Sequence, residues 1–92
     1  YTPDWSEPQG HEMLYQASLR HMRLATGDSP QPGHVVLFRM RDGAVAKHLG
    51  ILSQVGSAPH FIHAYNGHGV VESPLSRPWR KRIVARFEIS QG

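Results

Sequence analysis

Ala46-Lys47-His48-Leu49-Gly50-Ile51-Leu52-Ser53, then His60-Phe61-Ile62-His63-Ala64-Tyr65, then Asn66-Gly67 and His68-Gly69-Val70-Val71-Glu72 form the stretch that sets the architecture. The first two runs are rich in β-formers and short enough to be strands. A strand turns successive side chains to opposite faces, so His48, Gly50 and Leu52 share one face of the first run. Phe61, His63 and Tyr65 share one face of the second. Asn-Gly between two such runs is the strongest short hairpin signal, and it predicts a return strand over 68–72. Working backward, residues 34–40 read as a further strand that meets 46–53 across the turn Arg41-Asp42-Gly43. Working forward, 73–78 reads as a break and 81–89 as a last strand. In that strand Ile83, Ala85, Phe87 and Ile89 are expected on one face, and Arg80, Arg82, Arg86 and Glu88 on the other.

Before the strands the period is helical. Residues 1–10, with Pro3 and Pro8, read as an extended lead-in. Met13, Leu14, Ala17, His21 and Leu24 follow helical spacing, and Gly27 stands where a C-terminal cap belongs, which predicts a helix over 11–26. Tyr15, Leu19 and Met22 make a second apolar line, expected to meet an upstream segment or a neighbouring subunit. Asp28-Ser29-Pro30-Gln31-Pro32-Gly33 cannot continue the helix. The expectation is therefore α+β: an N-terminal helix over 11–26 packed on a small curved antiparallel sheet of about five strands over 34–89.

Composition narrows the classes of function. With 92 residues the chain holds one modest core, and 39% hydrophobic against 18% charged residues is too apolar for a disordered tail. There is no cysteine, so this stretch itself carries no disulfide, thiolate metal site or thiol nucleophile. The longest aliphatic and aromatic run, Val35 to Phe38, is far short of a membrane span. No secretion leader is visible, and the opening at Tyr1 raises the expectation of a processed chain or a fragment.

Two histidines stand out by context. If the strands bearing His48 and His63 are neighbours, one imidazole can bond the other and fix which nitrogen faces outward as a base. Gly50, two residues after His48 on the same face, leaves room for a substrate or another segment to approach. The plainer alternative is a pair of half-buried strand histidines. His60, His63 and His68 suggest a zinc site, but alternation turns His60 and His63 to opposite faces, so no metal is expected. Five of the ten basic residues, Arg77, Arg80, Lys81, Arg82 and Arg86, cluster near the end of the chain. They predict a solvated or docking face for an anionic partner; with no interleaved aromatic platform, nucleic acid is disfavoured.

Pro32-Gly33-His34-Val35-Val36-Leu37-Phe38, His48-Leu49-Gly50-Ile51 and Phe61-Ile62-His63-Ala64, in this order, resemble the NlpC/P60 family of cell-wall cysteine peptidases. Ala46 to Ile51, Phe61 to Tyr65, Gly67 to Ser73 and Pro78-Trp79-Arg80-Lys81-Arg82 look like the phage-tail and gene-transfer-agent members of that family. The resemblance spans about residues 30–89. It implies a papain-like half-barrel and hydrolysis of an isopeptide-like amide in a peptidoglycan stem peptide. It assigns the general base to His48 and the orienting residue to His63, with no metal or cofactor. It also implies a virion or virus-like tail acting at the bacterial cell wall, in the periplasm, with tail-tip or hub proteins as partners through the basic cluster. Two departures accompany it. The family's nucleophilic cysteine is missing, so 1–92 is expected to be the C-terminal portion of one peptidase domain; the alternative is a catalytically inactive structural or glycan-binding tail-tip component. His34 stands where the family commonly has Asp, which reads as a variation at the strand entry.

Overall fold

The computed structural model describes residues 13–27, 29–41, 43–65 (the Tyr65 side chain excepted) and 67–89. The expected lead-in over 1–10, the first two residues of the expected helix, and the turn residues Asp42 and Asn66 lie outside the described residues. The helix α1 runs Met13–His21, with Arg20 and His21 complementing the negative end of its dipole. Its core-facing seam is the buried Ser18 with the partly buried Leu14 and Tyr15, continued by Met22 just past the helix, between the two apolar lines expected from spacing; Met13, Leu19 and Leu24 are exposed. The buried Ser18 hydroxyl is satisfied inside the helix, donating to the Leu14 carbonyl at 2.8 Å.

The helix stops five residues before the expected end at 26, because the chain beyond it is recruited into the sheet. Arg23–Leu24 form a short strand β1, paired with Glu88 and Phe87, and the Ala25 amide continues the ladder to the Arg86 carbonyl at 2.8 Å. Pairing to a strand more than sixty positions away outweighs the local helical preference. The other strands are β2 (Val35–Phe38), β3 (His48–Gln54), β4 (His60–Tyr65), β5 (Gly69–Pro74) and β6 (Ile83–Glu88). Together they make one open antiparallel sheet of six strands in the order β1-β6-β2-β3-β4-β5. The fold is α+β, as expected, with six strands where about five were anticipated.

All four residues of β2 are buried, because both faces of the sheet are covered there. On one face Val35 and Leu37 join Ala46 and Phe87 beneath Leu14, Tyr15 and Met22. On the other, Val36 and Phe38 join Leu52 and Phe61 beneath Met40, Val55, Leu75 and Trp79. Trp79 comes from a four-residue helix α2, Arg77–Arg80, in a segment whose prolines suggested only a break. Pro78 sits in its first turn, where a missing N–H costs no intrahelical bond.

The last strand departs from the expected alternation. Leu37 faces Ala85 but Phe38 faces Ile83, so Val84 is an extra residue and the face assignment slips beyond it. Ile83 is consequently turned from the face of Ala85 and Phe87 and is exposed, while Phe87 is fully buried and Ile89, past the end of the strand, is exposed. The basic cluster is dispersed because the chain forms α2 and a turn before β6 begins. Arg77 and Arg80 lie on α2, Lys81 and Arg82 in the turn after it, and only Arg86 lies within β6. These residues do not share one strand face. Among the described residues no helix is long and apolar enough to cross a membrane.

Phe61 is fully buried at the centre of the second cluster. Phe61→Ala is expected to lower unfolding free energy by about 3–5 kcal/mol, since a cavity adds to the lost transfer energy. Val70→Ala, on a side chain 75% exposed, is expected to stay within about 0.5 kcal/mol. Urea denaturation of both variants checks the contrast.

Candidate functional site

The site is built by three consecutive strands. In the β3–β4 ladder Gly50 lies opposite His63 and Leu52 opposite Phe61, which sets His48 diagonally across from His63 on the same face. The two imidazoles meet: His48 Nε2 lies 2.9 Å from His63 Nδ1, with the rings nearly perpendicular at 86°. The β4–β5 ladder then pairs Phe61 with Ser73, and the Ser73 hydroxyl reaches diagonally to His63 Nε2 at 2.9 Å. The result is a chain of polar groups, His48–His63–Ser73, running across the sheet. His63 is 4% exposed, so its ring is held by protein, while His48 is only half-buried.

Aromatic side chains enclose the pair. Phe61 stacks on His63 with centroids 4.2 Å apart and planes inclined by 27°. Trp79 stacks on His48 at 5.6 Å and meets His63 edge-on at 5.1 Å. Phe38 lies 5.8 Å from His48 and 5.1 Å from Phe61. Gly50 makes this possible. A Cβ on that residue would stand 2.7 Å from Phe61 Cδ2 and 3.4 Å from the Ile62 carbonyl oxygen. The room expected beside His48 is thus taken by the Phe61 ring, and packing alone accounts for the glycine.

These surroundings tune the imidazoles. Removal from water disfavours the charged form of His48, and the neighbouring His63 adds to the effect, so His48 titrates below its ordinary value of 6.5. Burial lowers His63 likewise. Both rings are therefore neutral near pH 7. Because Nε2 of His48 is committed to His63, proton transfer with an outside partner falls to Nδ1. A neutral imidazole so oriented can accept a proton there and return it.

The other expected features fall elsewhere. His60 lies on the opposite face of β4 from His63, and its Nδ1 donates to the Ala58 carbonyl at 2.9 Å. Among the described residues no three His, Asp or Glu side chains gather where a metal ion could be held. Arg82 lies over the Trp79 ring at 5.6 Å, and Arg86 donates to the Gly27 carbonyl, tying β6 to the chain after β1. Arg39, Lys81 and Arg82 border a recess of about 290 Å³. On the face away from the imidazoles, Met22, Leu49, Ile51, Ile62 and Val70 line an apolar groove of about 380 Å³. The unpartnered apolar surface thus lies mainly on the sheet; of the expected second helix line, Tyr15 and Met22 pack into the core.

Ser73 and Trp79 were not anticipated as part of the site. For Ser73 the sequence signal misled: a two-residue Asn-Gly turn would pair Tyr65 with His68 and set Ser73, read as part of a break, opposite His60, whereas the ladder pairs Tyr65 with Gly69 and brings Ser73 opposite Phe61. For Trp79 there was none, since its position depends on α2. The chain matches no family model, no curated protein and no solved structure.

The lowered imidazole values predict a pH dependence of stability. Between the folded-state values and 6.5 the unfolded chain binds more protons, so stability is lost as pH falls through that window. Above 6.5 these two groups leave stability unchanged. The urea midpoint is expected to drop between about pH 7.5 and about pH 5, and to drop less in the His48→Gln/His63→Gln double variant.

Proposed function

We propose that this chain is the C-terminal portion of an NlpC/P60-type cysteine peptidase of the phage-tail or gene-transfer-agent kind. It would cut an isopeptide-like amide of peptidoglycan stem peptides during particle entry. The observation that carries the reading is the 2.9 Å contact between His48 Nε2 and His63 Nδ1, which leaves a neutral, oriented imidazole with Nδ1 as its reacting nitrogen. The open, one-sheet α+β architecture is compatible with the papain-like half-barrel that the resemblance implies.

In this reading a cysteine from sequence upstream of Tyr1 supplies the nucleophile. His48 Nδ1 takes the thiol proton, and the thiolate attacks the amide carbonyl. The resulting imidazolium gives its proton to the amine nitrogen as the carbon–nitrogen bond breaks, leaving a thioester. Water then surrenders a proton to Nδ1 while it attacks the thioester, and the departing sulfur recovers that proton. His63 holds the His48 ring, its Nδ1 accepting a hydrogen bond from His48 Nε2–H throughout. The thiolate is itself the nucleophile, so these steps call for no metal or cofactor. The protein would act from the particle tail at the cell wall, with basic residues of the α2–β6 region available to tail-tip or hub proteins.

One observation favours a second reading. The 92 residues contain no cysteine, which is equally compatible with an inactive structural or glycan-binding component of a tail tip. The residue encoded at the start of the helix before Tyr1 separates the two. A cysteine there, with release of stem-peptide fragments from purified peptidoglycan, supports the peptidase; alanine, serine or leucine with no release supports the scaffold. In an active longer chain, His48→Ala is expected to lower kcat/KM by about 10²–10⁴-fold while the circular dichroism spectrum is retained. His63→Ala is expected to cost less. Activity of His48→Ala equal to wild type would overturn the assignment.

A further inference from the structure

The peptidase reading uses His48 and His63 and leaves the third member of the chain without a role. Ser73 lies on β5, half-buried, with its hydroxyl 2.9 Å from His63 Nε2. A neutral imidazole carries one N–H, so the two hydrogen bonds of His63 share a single direction. In one direction His48 Nε2–H donates to His63 Nδ1, and His63 Nε2–H donates to Ser73 Oγ. In the other the Ser73 hydroxyl donates to His63 Nε2, His63 Nδ1–H donates to His48 Nε2, and the His48 proton sits on Nδ1. Only the first leaves a lone pair on His48 Nδ1.

We propose that Ser73 is a positioning residue whose hydroxyl oxygen accepts a hydrogen bond from His63 Nε2–H and so supports the direction of the relay that leaves a lone pair on His48 Nδ1. The protonated state of His48 makes the same demand. An imidazolium has protons on both nitrogens, so its Nε2–H needs a lone pair on His63 Nδ1, which places the His63 proton on Nε2, facing Ser73. Solvent cannot readily stand in for that acceptor, because His63 is 4% exposed and covered by Phe61 on one ring face. Removing the hydroxyl leaves a buried N–H without a partner, which favours the opposite tautomer of His63 and, through it, of His48.

The catalytic consequence rests on the peptidase reading, but the tautomer assignment does not, and one design separates them. In the 92-residue chain labelled with ¹⁵N-histidine, near pH 7.5, long-range ¹H–¹⁵N spectra report which nitrogen of each ring carries the proton. Wild type is expected to show Nε2–H for both His48 and His63. Ser73→Ala is expected to move the His63 proton to Nδ1, and Ser73→Thr to restore it. His63 found as Nδ1–H in wild type, or tautomers unchanged in Ser73→Ala, would overturn the proposal; the wild-type spectrum can overturn it even if the alanine variant fails to fold. In a longer active chain, Ser73→Ala is expected to lower kcat by about tenfold to a hundredfold with KM little changed, and Ser73→Thr to recover most of the loss. The expected tautomers in a longer chain with no peptidase activity would leave the relay standing and remove the enzyme.

Discussion

The absence of a side chain at Gly50 governs how closely the groups behind the imidazoles can pack. Opposite His63 in the ladder, it lets the Phe61 ring edge occupy the space where a Cβ would stand, 2.7 Å from Phe61 Cδ2. Phe61 in that position is the floor on which His63 stacks and a wall of the cluster that holds Phe38 and Trp79. Trp79 in turn lies flat against His48. Fixing Phe61 therefore fixes the planes of both imidazoles, one by direct stacking and one through the tryptophan. The short nitrogen–nitrogen contact follows from that packing and from the strand register together; neither alone would orient the rings.

The same packing sets the chemistry of the rings. An aromatic enclosure supplies few dipoles to solvate a cation, so it holds both histidines in the neutral form, while the hydrogen bonds to His48 and Ser73 satisfy the two nitrogens of the buried one. A buried imidazole with neither bond would be a liability to the fold. Polar relay and apolar box thus depend on each other: the box excludes water, and the relay removes the penalty of putting a polar ring inside it.

Much of this was legible in the sequence, and the boundary between what was and what was not is physical. Strand alternation put His48 and His63 on faces that meet once β3 and β4 pair, and Asn66-Gly67 announced the β4–β5 hairpin. These are local rules acting over a few residues. The shortening of α1, the strand β1 and the slip in β6 were not legible, because each is decided by contacts between segments distant in sequence: Arg23–Leu24 with Phe87–Glu88, and Val84 bulging past Leu37 and Phe38. The grouping of Arg80 and Arg82 with Arg86 failed for a related reason. It extended the strand through Lys81 and Arg82, where the backbone instead leaves the short helix bearing Trp79. The site was read from local pattern; its aromatic lid was not.

The division has a consequence for how the site is supported. His48, His63 and Ser73 sit on β3, β4 and β5, joined in sequence by short loops and bonded in successive antiparallel ladders. Phe38, beneath His48, belongs to β2, whose other neighbour is β6, a strand some fifty positions later in the chain. Trp79 arrives on the segment linking β5 to β6. The local meander can bring the polar atoms to one face, but it lacks the tryptophan and the central strand that keep the rings dry and in plane. The aromatic enclosure is therefore complete only when β2 and the segment bearing Trp79 are in place around the meander, so that residues outside β3–β5 finish the surroundings of the relay.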